Sequence, residues 1–162
     1  MEKVAEIIEQ EKSPYELERG KSIPTLIHGA IQFNLGFALK TAYPTQFRIA
    51  SEVLLDTLPK GSTPDIVLYP AQPLDYRNDP SRRTDAPLLT IEIQSASQST
   101  KEMTDKLESY FYFGVKSCWI VVPDFQAIFV YDTPFHYTFF HEKDILKDPT
   151  LGIEIDLKKV FE

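Results

Sequence analysis

The segment Leu88-Leu89-Thr90-Ile91-Glu92-Ile93-Gln94 limits the possible folds more than any other part of the chain. It is nearly all apolar, and a run of this kind reads as a central strand covered on both faces. A domain layered around a sheet follows. Glu92 stands in the middle of that run. A carboxylate buried there is costly unless it is paired, protonated or bound to a metal. Side chains alternate along a strand, so Thr90, Glu92 and Gln94 project to the same side. A structural acid paired with an arginine, or a strand wet on one face, would explain Glu92 as well.

The other elements fit around this strand. Residues 1–13 read as a short acidic helix with Val4, Ile7 and Ile8 on one side, ended by Pro14. From His28 to Lys40, the residues Ile31, Leu35, Ala38 and Leu39 fall at helical spacing, and Pro44 closes the helix. Residues 47–55 read as a strand with a bulge, and Asp65 to Tyr69 as a compact strand. Four prolines make 70–87 a long loop. Ser99 or Thr100 caps a helix over 101–113, and Gly114 stops it. Strands follow at 118–122, 127–131 and 135–140, with a late one at 152–157 and a terminal turn after it. The aromatic residues of 135–140 suit either a partner surface or a core strand. The order is helix, strands, helix, strands, which suggests an α/β or α+β domain with a central mixed sheet.

Composition sets limits on function. With 162 residues, 43% of them hydrophobic, the chain suits one domain over 1–162 with 1–13 as a helical extension. The single cysteine, Cys118, excludes an intramolecular disulfide and sits in an apolar run as core. No apolar run approaches the roughly 18 residues of a membrane span, and the acidic N-terminus lacks a signal-peptide core, so a cytoplasmic location is expected. The formal net charge of -7 argues against tight DNA binding by charge alone. It leaves nuclease chemistry open, because a divalent ion can neutralise carboxylates locally.

Asp65 opens a second apolar strand directly after Pro64. Alone it is an ordinary strand-start acid. Together with Glu92 it forms a pair of carboxylates on strands adjacent in sequence, the oxygen donor set that Mg²⁺ takes, and the carbonyl of residue 93 could complete it. On the following helix Met103, Leu107, Tyr110 and Phe111 form the packing stripe, with Glu102, Lys106, Ser109 and Phe113 on the other side. Glu102 and Lys106 at i,i+4 suit a surface ion pair; alternatively Lys106 points into the site and stabilises charge on phosphate. His28 reads as a helix-capping or surface residue. Arg77, Arg82 and Arg83 in the proline-rich loop could touch phosphates, or the loop could simply be solvated.

Pro64-Asp65, followed by Glu92-Ile93-Gln94, resembles the PD-(D/E)xK pattern of restriction-endonuclease-like nucleases. The resemblance is closest to the Uma-type restriction endonuclease domains and runs from about Tyr15 to Phe161. It is carried by Tyr15-Glu16-Leu17-Glu18-Arg19-Gly20, His28, Pro64-Asp65-Ile66-Val67, Glu92-Ile93-Gln94-Ser95, Lys106, Tyr110, Gly114-Val115, Trp119-Ile120-Val121 and Leu151 to Leu157. It implies a restriction-endonuclease-like mixed sheet flanked by helices, dependence on Mg²⁺ or Mn²⁺, and dimers. By this resemblance Asp65 and Glu92 are metal ligands, Glu16 is an accessory acid, and Lys106 is the catalytic lysine. His28 and Glu102 are accessory. The third signature position is Gln94 rather than lysine; its neutral amide supplies no charge and would hydrogen-bond a water or a phosphate oxygen.

The expected activity is metal-assisted phosphodiester hydrolysis, with DNA as substrate by resemblance only. The alternatives are a catalytically degenerate fold serving as a dimeric interaction or regulatory module, and a nuclease acting on RNA or on nucleic-acid ends.

Overall fold

The computed structural model describes Pro14 and residues 23–162. The helix expected over 1–13 and the accessory acid Glu16 lie outside the described residues. The first helix, α1 (Leu26–Ala42), begins at Thr25, whose side chain accepts from the His28 amide. Its spaced apolar residues Ile31, Leu35, Ala38 and Leu39 are the buried ones, as their periodicity predicts.

Six strands then form one sheet in the order of the chain: β1 (Phe47–Ser51), β2 (Ile66–Pro70), β3 (Leu89–Ile93), β4 (Ser117–Val122), β5 (Ala127–Thr133) and β6 (His136–His141). Neighbours are antiparallel except β3 and β4, which run parallel. Parallel neighbours need a crossover, supplied by α2 (Thr100–Phe113). Ser99 caps α2, and Gly114, at φ 118, ends it in a left-handed conformation. A separate hairpin, β7 (Ile145–Asp148) with β8 (Ile153–Asp156), completes the chain.

The two faces of the sheet carry separate cores. Ile66, Leu68, Leu89, Ile91, Ile93, Trp119 and Val121 pack with α1 and with Leu146, Ile153 and Ile155 of the hairpin. Val67, Tyr69, Cys118 and Ile120 pack with Met103, Leu107 and Tyr110 of α2. The strand alternation puts Thr90 and Glu92 on one side, as expected, and the packing identifies that side as the α2 face. β3 is buried along its whole length, as a central strand should be.

Three expectations are corrected. β1 ends at Ser51, because Glu52 takes φ 59 and leaves the strand; residues beyond it pair with the 70–87 loop, Arg83 N donating to Leu54 O. β6 is an edge strand with only Phe140 turned toward the core, so the core reading of 135–140 fails for the rest. Its Tyr137 and Phe139 instead meet Phe129 and Tyr131 of β5 in edge-on and tilted ring contacts. The short β7 was not expected. Its buried positions are Leu146 and Asp148, and a buried Asp disguises the alternation.

The 70–87 loop is also more ordered than a solvated loop. Arg48 donates twice to Gln72 O, and the Tyr69 hydroxyl donates to Asp85 O. Among the described residues no helix is long and apolar enough to cross a membrane.

Candidate active site

The antiparallel register of β2 with β3 pairs Ile66 with Ile91 and Val67 with Thr90. Continuing it by one residue sets Asp65 opposite Glu92. Opposed residues of an antiparallel pair share a face, with Cβ atoms roughly 5 Å apart. Both acids are buried, at 1% and 3% exposure. Both line the same cleft, about 260 Å³ in volume, where the start of α1, the end of β3 and the turn into α2 meet.

Each carboxylate is held by its surroundings. Asp65 Oδ2 accepts from the Ile93 amide at 2.7 Å. Asp65 Oδ1 lies 3.4 Å from His28 Nε2. Glu92 Oε1 accepts from the Tyr110 hydroxyl at 2.5 Å and lies 3.6 Å from Lys106 Nζ. Burial raises the Tyr110 hydroxyl well above its ordinary pKa, and the negative charge of Glu92 raises it further. Tyr110 therefore stays protonated and donates to Glu92 throughout the working pH range.

The geometry sorts the expected residues. Asp65, Glu92, Gln94 and His28 share the cleft. Lys106 does not stand with Glu102 on a solvent face: its ammonium reaches Glu92, and its side chain is only 26% exposed. Lys106 and Tyr110 are one helical turn apart, so the margin of the packing stripe delivers both to the same oxygen. Glu102 is exposed, and the ion pair at that end of α2 is Lys101 with Asp105. Gln94 donates to Gln98 O, and Gln98 Oε1 accepts from the Ser95 amide, so two amides brace the turn into α2. His28 is neither a side-chain cap nor a surface residue. Its ring turns inward, and among the described residues its Nδ1 is buried without a hydrogen-bond partner.

Two of the loop arginines are already engaged. Arg82 pairs with Asp56 at 2.9 Å. Arg83 binds both oxygens of Asp85 and lies over the Tyr69 ring at 5.0 Å. That pairing lowers the Asp85 pKa. Arg77 is exposed. The reading of Cys118 as core holds: the thiol is buried, and desolvation pushes its pKa up to about 12.

Sequence reasoning filed Tyr110 as packing and missed its hydroxyl. The available signal was its position four residues after Lys106. Gln98 and Asp124, which also line the cleft, carried no signal because both sit in turns.

The model of the Uma2 family, described as "Putative restriction endonuclease", matches residues 1–158. The chain belongs to the Uma2 family. No curated protein sequence matches it. Among solved structures, a protein from Anabaena variabilis described as a "putative nuclease belonging to DUF820" superposes with a TM-score of 0.73 at 23% identity, covering 86% of this chain and 82% of that one. At that identity the likeness speaks for the fold. The fold of this Uma2 member is thus the restriction-endonuclease-like one that its sequence suggested.

Proposed function

We propose that this Uma2 domain is a metal-dependent endonuclease, with DNA as its substrate and with Asp65 and Glu92 as the ligands of Mg²⁺ or Mn²⁺. The reading rests on one observation: two buried acids, one just before β2 and one within β3, line one cleft. Two buried carboxylates on facing strands favour a cation between them, beside the Lys106 ammonium that already lies 3.6 Å from Glu92. The donors there are carboxylate and amide oxygens, a set suited to a hard cation that keeps several waters. When bound, the ion would supply a water of lowered pKa and polarise a phosphoryl oxygen. The Ile93 amide and His28 hold Asp65, and Tyr110 holds Glu92, so neither acid must reorganise on binding. Lys106, close to Glu92 yet partly exposed, is free to extend toward a phosphate and offset its charge. Gln94 offers a neutral amide at the wall of the same cleft. A homodimer is the expected assembly.

The test is plasmid cleavage with Mg²⁺ and with Mn²⁺, comparing wild type with Asp65→Ala and Glu92→Ala. Cleavage lost in both variants supports the reading. Wild type inert toward single- and double-stranded DNA and RNA, or variants as active as wild type, overturns it.

A second reading, an inert interaction or regulatory module, draws on two observations. Among the described residues no group of three His, Cys, Asp or Glu side chains is placed to hold a metal. The described cleft lining also contains no Lys or Arg. Calorimetry with Mn²⁺ separates the two, since binding that Asp65→Ala abolishes speaks against the module.

A further inference from the structure

We infer that Tyr110 is the positioning residue for Glu92, and that Lys106 is thereby left mobile to serve the substrate. The inference rests on the metal reading above for its function, but its geometry stands alone. Both side chains converge on one atom, Glu92 Oε1. They do so on different terms. The tyrosine is fully buried, its ring packs between α2 and the sheet, and its hydroxyl donates directly to the carboxyl oxygen. The lysine is partly exposed, and its 3.6 Å separation lies beyond ordinary hydrogen-bond length. It is a long, flexible side chain that can leave Glu92 for another anion.

Were the long, partly exposed Lys106 to orient this oxygen, its departure toward another anion would loosen that hold. Tyr110 removes that dependence. Its hydroxyl donates to Oε1 from a packed ring whose position does not depend on the ammonium. A buried tyrosine has only two side-chain torsions, both set here by packing, so the donor arrives preorganised. The division is between a fixed donor that orients the acid and a movable cation that follows the substrate. Tyr110 touches no substrate in this scheme; it acts through Glu92. Partners of this kind, behind a ligating side chain, commonly govern metal affinity by about 10–100-fold.

The test compares Tyr110→Phe, Lys106→Met and Leu107→Ala. The last loosens the same helix without touching Glu92. Mn²⁺ binding is read by calorimetry, and unfolding temperatures are recorded beside it. Tyr110→Phe is expected to weaken Mn²⁺ binding by about 10–100-fold. Lys106→Met is expected to keep near-wild-type Mn²⁺ binding while losing cleavage, and Leu107→Ala to keep its Mn²⁺ binding despite a lower unfolding temperature. Wild-type affinity in Tyr110→Phe overturns the inference. So does an equal loss in Lys106→Met, which would make the lysine the restraint, or in Leu107→Ala, which would make the effect one of packing. Should Tyr110→Phe not fold, the Lys106→Met arm decides. If wild type binds no Mn²⁺, the metal reading falls, and a crystal structure of Tyr110→Phe decides the positioning role alone. Glu92 swung to a new rotamer sustains it, and an unmoved Glu92 ends it.

Discussion

Asp148 Oδ2 accepts a hydrogen bond from Trp119 Nε1 at 2.8 Å, inside the core layer shared by α1 and the β7–β8 hairpin. The same oxygen accepts from the Ser117 hydroxyl, and Oδ1 accepts from the Thr150 amide. One buried carboxylate thus joins the hairpin to the central strand β4. Asp148→Ala strands a buried indole N–H and leaves the Ser117 hydroxyl only its 3.4 Å contact with Tyr131 O. The expected loss is about 3 kcal/mol, which for a domain of this size lowers Tm by about 6–12 °C. Thermal unfolding checks it. A Tm unchanged from wild type would mean that water satisfies those donors equally well.

Gly114 carries the second prediction. Its φ of 118 is open to glycine, and a Cβ there would meet Ala86 Cβ at 3.3 Å. Gly114→Ala should cost about 1–2 kcal/mol, seen as a lower urea midpoint at constant slope. An unmoved midpoint would contradict the left-handed stop.

The Cys118 thiol gives a pH dependence. Its pKa rises from 9.0 to about 12 on folding, chiefly by desolvation. Between those values the folded chain binds more protons than the unfolded one, so stability is full below pH 9.0 and falls as pH rises toward about 12. Tyr110 titrates in the same sense, from an ordinary value of 10.0. Urea midpoints should therefore fall from pH 8 to pH 10.5, and less steeply in Cys118→Ala. At pH 8 the native thiol should resist a disulfide reagent until the chain unfolds. Rapid labelling of folded protein would show the burial to be wrong.

The loop arginines predict a negative result. Arg82 and Arg83 already serve Asp56 and Asp85. The double variant Arg82→Ala/Arg83→Ala should leave the salt dependence of DNA binding unchanged. A slope reduced by about one for each residue would show both leaving their carboxylates for phosphate.

Under the metal reading, ligand binding stabilises the fold. Mn²⁺ at 100 times its Kd should add about 2.7 kcal/mol, raising Tm by about 5–10 °C. Asp65→Ala should abolish the increment. An equal increment in that variant would locate the ion elsewhere.

Periodicity made much of this architecture legible. The spacing of Ile31, Leu35, Ala38 and Leu39 identified α1, and the apolar run around Glu92 identified the central strand. The association of Asp65 with Glu92 followed from two acids in two apolar strands, but their direct opposition did not, because register is a property of both strands together. Lys106 was legible as a residue and illegible as a direction: a helical position at the edge of a stripe points equally well to solvent or to the sheet. Tyr110 was hidden because its ring satisfies the packing pattern, and only coordinates show where its oxygen ends. β7 was hidden because Asp148 occupies a core position that pattern reading assigns to apolar residues. Arg82 was legible as a loop cation and its pairing was not, since a partner distant in sequence such as Asp56 leaves no local trace.

The match of β2 to β3 has a consequence for how such domains diversify. Hydrogen bonds between the two strands, and not the span of 70–87 that joins them, fix the distance between the acids. Changes in that connecting segment that keep its contacts to Arg48, Tyr69 and Leu54 therefore leave the two acids opposed. A single-residue slip of one strand, by contrast, turns one acid to the opposite side and dismantles the centre at once.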